Sequence, residues 1–376
     1  MTTLLELLKL KEVVPFRSNK AVEQVVADPG LIYGVELETE EITKEIGDCL
    51  IPGMYGEPDG SLRNSSTGVA YEFISKPMSL SILTHVLTQF FTRNPFTEKN
   101  YSDRCSVHVH VNCQDLTVDQ IQSVCLLYQA FEELFFAYAN SKGGQRDKSI
   151  FCVPWSQTVI THNLIGLLST EGAMRLKHWQ KYTALNLTPL TTQGTIEFRH
   201  LPGTADYKYI LVWCNLIGCL FSYARNNSLE DITSKLATLN TSSAYSNMAD
   251  AVFKNWVDHI KFPGWEVMLE NGVLDMKYTL ISGKGYMKKS PNKKPVDWNF
   301  QGGAIIDEAE HIPAEVPVAP PPALPGVALR DYIQQYNDQF GTGANIYGQG
   351  IHNNLGQMQA NAAAIPAIRR RAPVVE

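Results

Sequence analysis

Val107-His108-Val109-His110-Val111-Asn112 alternates apolar and polar residues with the period of a β-strand whose two faces meet different surroundings. Two other stretches repeat the pattern, Gly34-Val35-Glu36-Leu37-Glu38 and Thr195-Ile196-Glu197-Phe198-Arg199-His200. Residues at i and i+2 of a strand point the same way. If the three strands pair into one sheet, Glu36, Glu38, His108, His110, Glu197 and Arg199 line one concave face. A face holding carboxylates, imidazoles and a guanidinium is unlike a core and reads as a metal and phosphate site.

The 376 residues exceed the size at which one core stops growing, so one large domain with appendages is expected. A content of 44% hydrophobic and 19% charged residues is that of a soluble globular protein. The formal net charge of −6 gives no general attraction to nucleic acid or to an anionic membrane, and neither is expected as a partner. Seven scattered cysteines without a CxxC pair argue against a disulfide framework or structural zinc and favour a reducing cytoplasm. Met1 to Leu10 lacks the marks of a secretory signal. The longest apolar stretch, Ile210 to Phe221, is shorter than the roughly 20 residues of a membrane span and reads as a buried helix.

Around the three strands the pattern gives a strand over 31–38, a turn at Asp59-Gly60 and an extended stretch from Val69 to Ser75, a hairpin-like pair. Helices are expected over Met78 to Phe91, after Pro77, and from Asp115 to about Asn140, opened by Thr117. Tyr182 to Thr192 and Gly194 to Leu201 read as a strand pair, followed by a helix from about Asp206 to Arg225. Residues 228–262 look mostly helical, with a break near Asn240. This order predicts an α+β fold, a curved and mainly antiparallel sheet with helices packed on its outer face. A domain over 1–300 would be followed by a proline-rich linker over 301–326 and a low-complexity tail over 327–376, in which Val327 to Phe340 has the pattern of one short helix.

Each motif alone has a bland reading. Glu36 and Glu38 could face water on an edge strand, although the apolar run before them argues for burial, where carboxylates need a partner or a cation. His108 and His110 could be structural histidines, or ligands of a metal. With glutamates as co-ligands, magnesium or manganese fits better than zinc. Glu197 and Arg199 could be an ion pair, or a ligand beside a phosphate-binding guanidinium. Glu72, in Tyr71-Glu72-Phe73, carries the same ambiguity. Neither a P-loop, a GxGxxG turn nor a GxSxG elbow is present. The five lysines between Lys284 and Lys294 read as a solvated loop.

Taken in order, GVELE, EPDGSL, YEFISKP, CSVHVHVN, KYTALNL and TIEFRHLPGTAD resemble the amidoligase family of the carboxylate–amine ligase superfamily, over about residues 31–225. The resemblance implies a glutamine synthetase-like sheet that holds ATP with Mg2+ or Mn2+. It implies metal ligation by Glu36, Glu38, Glu72, Glu197 and His108. ATP contacts would come from His108, His110, Lys181, Asn186 and Ser61. Catalytic roles would fall to Arg199, Arg146 and Asp59, with Asp59 and Ser61 matching a DxS hairpin and Tyr182 and Asn186 a family strand. Ser106 stands where glycine is common, and Lys181 where arginine is common. The implied reaction joins a small-molecule or peptide carboxylate to an amine through an acyl-phosphate. Two other readings stay open: a phage virion or assembly component that keeps the fold and anchors through its C-terminal arm, and a metal-dependent hydrolase built on the HxH strand. A cytoplasmic location, host cytoplasm or virion for a phage-type member, goes with them. A protein partner for residues 313–376 and homo-oligomer formation also stay open.

Overall fold

The computed structural model describes residues 2–157 and 181–288, with side chains described as far as residue 277. The linker, the tail and the short helix expected after residue 300 lie outside the described residues.

One open sheet organises the chain, and its strands are β1 (Ile32–Ile42), β2 (Met54–Pro58), β3 (Val69–Ser75), β4 (Met78–Ser79), β5 (Ser106–Asn112), β6 (Leu185–Asn186) and β7 (Thr195–Pro202). The order is β2-β3-β1-β5-β7-β6, with β4 also on β1, and every pairing is antiparallel. The expected α+β class and mainly antiparallel sheet are present.

Strand alternation divides the sheet cleanly. Val35, Leu37, Phe73, Val107, Val109, Val111, Ile196 and Phe198 are buried in the main core on one face. The helices α3 (Leu80–Arg93), α4 (Val118–Asn140) and α5 (Tyr207–Asn226) bury apolar side chains in the same core. Near the middle of the layer, α4 is buried almost all round, its polar Gln122, Gln129 and Glu132 included. Its start is fixed by the reciprocal bonds of Thr117 and Gln120, a capping box. Asp206, where a helix start was expected, caps α5 by accepting from the Tyr209 N–H. The smaller helices α1 (Leu4–Leu8) and α2 (Ile46–Cys49) precede this layer in chain order. The break expected near Asn240 separates α6 (Leu229–Thr238) from α7 (Ser242–Phe253), whose caps are Ser228 and Thr241.

Three local expectations change. The expected pair of 31–38 with Val69 to Ser75 is present as β1 and β3, but β2 intervenes in the chain, so the turn at Asp59-Gly60 joins β2 to β3. The strand expected over 182–192 shrinks to the two residues of β6, because Pro189, which lacks an N–H for a ladder, opens a 3₁₀ turn at Thr188–Thr191. Lys284 and Lys288 lie in α8 (Trp265–Lys288) and not in a loop; Lys289, Lys293 and Lys294 fall outside the described residues.

A bulge in β7 shapes the other face. Val107 pairs with Leu201 and Val109 with Phe198, so His108 alone stands opposite both Arg199 and His200. His200 and Leu201 consequently both enter the core, and Arg199 keeps the side of Glu197. Within that core His200 Nε2 lies 3.0 Å from the Tyr128 hydroxyl, which donates to Glu132 at 2.8 Å.

The α4–α8 crossing depends on Gly272, where a Cβ would stand 2.1 Å from the Ala130 carbonyl oxygen. Gly272→Ala should lower stability by about 1–3 kcal/mol in urea denaturation, while Gly47→Ala, with open space at its Cβ, should not destabilise. Burial, reinforced by the Arg146 charge, holds His200 well below its ordinary value of 6.5. The unfolded chain therefore takes up this proton first as pH falls. The stability contributed by neutral His200 is complete above about pH 6.5 and is lost on acidification, by at most about 1.4 kcal/mol per pH unit. Denaturation midpoints between pH 7 and pH 5 should fall less steeply in His200→Gln than in the wild type.

Candidate metal and phosphate site

The face opposite the core carries a row of ionisable groups set by strand register. Glu38 pairs with Glu72 across β1 and β3, Glu36 with His108 across β1 and β5, His110 with Glu197 across β5 and β7, and Asn186 with Glu197 across β6 and β7. The predicted strands thus bring Glu36, Glu38, Glu72, His108, His110, Glu197 and Arg199 together.

Glu36 is the hub. Its Oε1 lies 3.1 Å from His110 Nε2, and its Oε2 lies 3.1 Å from His108 Nδ1. Glu197 is 3.4 Å from His108 Nδ1, pairs with the Arg199 Nη1, and accepts from Asn186 Nδ2 at 2.6 Å. Glu38 accepts from both the backbone N–H and the hydroxyl of Ser106. Ser106 Oγ is also 2.7 Å from His108 Nε2, and His110 Nδ1 is 3.0 Å from Thr195 Oγ1.

The charges answer to these contacts. Burial alone would raise Glu36, but hydrogen bonds from His108 and His110 hold it far below the carboxylate range. Glu197 is likewise lowered: burial opposes its charge, and Arg199, His108 and His110 outweigh the burial. His110 rises because the bond to Glu36 and the charges of Glu36 and Glu197 outweigh its own burial. Glu72 goes the other way. Burial, then the charges of Glu36, Glu38 and Asp59, push it up to about 9.

Three overlapping ligand sets follow: Glu36, His110 and Glu197; Glu36, His108 and Glu72; Glu38, Asp59 and Glu72. In each set one donor atom per residue lies within 4.8 Å of the others. The residues fit a divalent cation, since mutual repulsion around Glu72 is relieved by positive charge and the donors are mainly carboxylate oxygens. Asp59, from the turn after β2, joins the row through the third set.

Residues 69–220 match the putative amidoligase enzyme family. That is a ligase-type family. The amidoligase match contains Glu72, His108, His110, Arg146, Lys181, Asn186, Glu197 and Arg199, whereas Glu36, Glu38, Asp59 and Ser61 precede it. No curated protein matches the chain.

Other expected residues sit around the row. Arg146 is 3% exposed and makes no ion pair among the described residues. Its Nη2 donates to the Arg199 carbonyl at 2.9 Å, and its Nε and Nη1 have no partner. Arg199 Nε donates to the Phe151 carbonyl, so the 146–151 loop holds Arg199 by backbone and side chain together. Ser61 closes the turn, its N–H donating to Asp59 Oδ1 at 2.7 Å. Lys181 is exposed, with Nζ 4.9 Å from the centroid of the Tyr182 ring, and touches none of the acidic row. The sequence marks Ser106 only as a departure from glycine and does not single out Thr195. Both continue the alternation of their strands, Ser106 two residues before His108 and Thr195 two before Glu197, and that spacing is the signal for them.

Mn2+ binding followed by electron paramagnetic resonance should weaken by more than about tenfold in Glu36→Gln, whose carboxylate belongs to two sets. Asp59→Asn, confined to one set, should weaken it less.

Proposed function

We propose that the chain is an ATP-dependent ligase that joins a carboxylate to an amine, using Mg2+ or Mn2+. The observation that carries this reading is the row of carboxylates and imidazoles that ends in the Glu197–Arg199 pair, built largely from residues inside the amidoligase match.

A carboxylate is a poor electrophile, and phosphorylation gives its carbon a leaving group. The substrate carboxylate oxygen attacks the γ-phosphorus of ATP, ADP leaves, and an acyl-phosphate forms. The amine nitrogen then attacks the acyl carbon, phosphate departs, and the amine proton passes to the departing phosphate. A divalent cation held by Glu36, Glu38, Glu72, Glu197, Asp59 and the two histidines would supply charge neutralisation for the triphosphate.

The chain's own groups divide the remaining work. Arg199 is oriented by Glu197 and by the Phe151 carbonyl, so its remaining donors are already aimed before charge develops on the transferred phosphoryl group. Arg146 fixes the backbone on which Arg199 stands. Asn186 holds the second oxygen of Glu197, leaving that carboxylate little freedom to turn away. His108 and His110 restrain Glu36 from two sides.

Glu36→Gln, Glu38→Gln and Glu197→Gln should each abolish metal-dependent ADP release from ATP in the presence of mixed amino acids or peptides. Mass spectrometry should show a dehydration product stoichiometric with ADP in the wild type. Turnover unchanged in all three variants, or hydrolysis of amides without ATP, would sink the reading.

A further inference from the structure

We propose that Ser106 is a positioning residue that sets the tautomer of His108, keeping a hydrogen on Nε2 and presenting the bare Nδ1 to a divalent cation. The inference rests on the metal-site reading above and sharpens it to one nitrogen of one ring.

The Ser106 hydroxyl has one hydrogen and two neighbours, Glu38 Oε2 and His108 Nε2. Turned to His108, that hydrogen would leave two oxygens facing each other at hydrogen-bond distance. Turned to Glu38, it makes a charge-assisted bond beside the one from the Ser106 N–H, at 2.7 Å. The hydroxyl oxygen is then an acceptor, and His108 Nε2, 2.7 Å away, must be the donor. Ser106, His108 and Glu38 are 1%, 2% and 5% exposed, so water does not compete for these bonds. The relay runs from His108 Nε2–H to Ser106 Oγ and from Ser106 Oγ–H to Glu38.

The consequence lies at the other nitrogen. Nδ1 is 3.1 Å from Glu36 Oε2 and 3.4 Å from Glu197 Oε1. Acceptors converging at that spacing repel each other unless a hydrogen or a cation lies among them. A cation lying there meets the bare Nδ1, because the relay holds the ring hydrogen on Nε2. His110 is arranged in the opposite sense. Its Nδ1 meets Thr195 Oγ1, and its Nε2 meets the other oxygen of Glu36. The two rings therefore face Glu36 through different nitrogens, each with a hydroxyl on its far nitrogen. A hydrogen-bond partner on the far nitrogen commonly fixes both the orientation and the donor atom of a ligating histidine.

Two measurements test this, and neither needs turnover. Nitrogen-15 shifts of His108 in the Mg2+-saturated wild-type protein should show Nε2 protonated and Nδ1 bare. Mn2+ affinity, read by electron paramagnetic resonance, should fall about tenfold in Ser106→Gly and Ser106→Ala. Both variants keep the backbone N–H that Glu38 accepts, and far-UV circular dichroism with denaturation midpoints checks that they fold. A hydrogen on Nδ1, a doubly protonated ring under Mg2+, or unchanged Mn2+ affinity in folded variants overturns the proposal. The wild-type spectrum decides the matter if neither variant folds. If the tautomer and affinity behave as expected but ATP-dependent turnover is absent, the ligase reading falls and this inference stands. Turnover with the hydrogen on Nδ1 gives the reverse.

Discussion

Glu36 held between two imidazoles is the interaction on which the site depends. A carboxylate this enclosed is expensive to keep charged, and burial alone would drive it neutral. Hydrogen bonds from His108 and His110 reverse that cost, and the same bonds orient both rings. Glu197 and Arg199 repeat the balance one strand further on. The sheet can carry so many carboxylates on one face because Glu36 is held by two imidazoles, Glu38 by Ser106 and Glu197 by Arg199. Toward β2 the balance runs out. Burial raises Glu72, and the charges of Glu36, Glu38 and Asp59 raise it further.

The alternation of three short strands makes the site face legible in the sequence itself. Period-two spacing fixes which side chains share a side, and the register then puts Glu36 against His108 and His110 against Glu197. Cap residues at Thr117 and Asp206 mark their helices for the same local reason. What stays hidden depends on long-range geometry. The bulge that sends both His200 and Leu201 inward cannot be read from TIEFRHLP alone, since it exists only against β5. Nor does the pattern show that Pro189 cuts β6 to two residues. The helix α8 escapes notice because Pro263-Gly264, and no Ser, Thr, Asp or Asn, stands just before Trp265, and a lysine run draws attention to solvent instead.

Arg199 shows how the two sides of the sheet cooperate. Its side chain serves the ionisable face, yet its placement comes from a loop that begins at the end of α4. Asn140 Oδ1 accepts from the Arg146 N–H, Arg146 donates to the Arg199 carbonyl, and Phe151 accepts from Arg199 Nε. A guanidinium needs this kind of support, because its planar fork selects one direction and loses value when the backbone beneath it shifts. The bulge and the loop are two parts of one constraint. The bulge turns His200 inward while Arg199 remains beside Glu197, and the loop holds the carbonyl that the distorted ladder leaves available.

The mixture of donors also bears on which ion the row would take. Carboxylates alone would favour a hard ion such as Mg2+, which prefers oxygen and gives up water reluctantly. Two imidazoles restrained by hydroxyls shift the balance toward an ion that accepts nitrogen as well, and Mn2+ stands above Mg2+ in that respect. The three sets are not equivalent. Those containing His110 and His108 each include one nitrogen, while the set of Glu38, Asp59 and Glu72 is all oxygen. A single sheet face therefore grades from nitrogen-bearing positions near Arg199 to an all-carboxylate position near the β2 edge. Ions of different preference would distribute along that gradient, and the shared carboxylates of Glu36 and Glu72 would couple their occupancies.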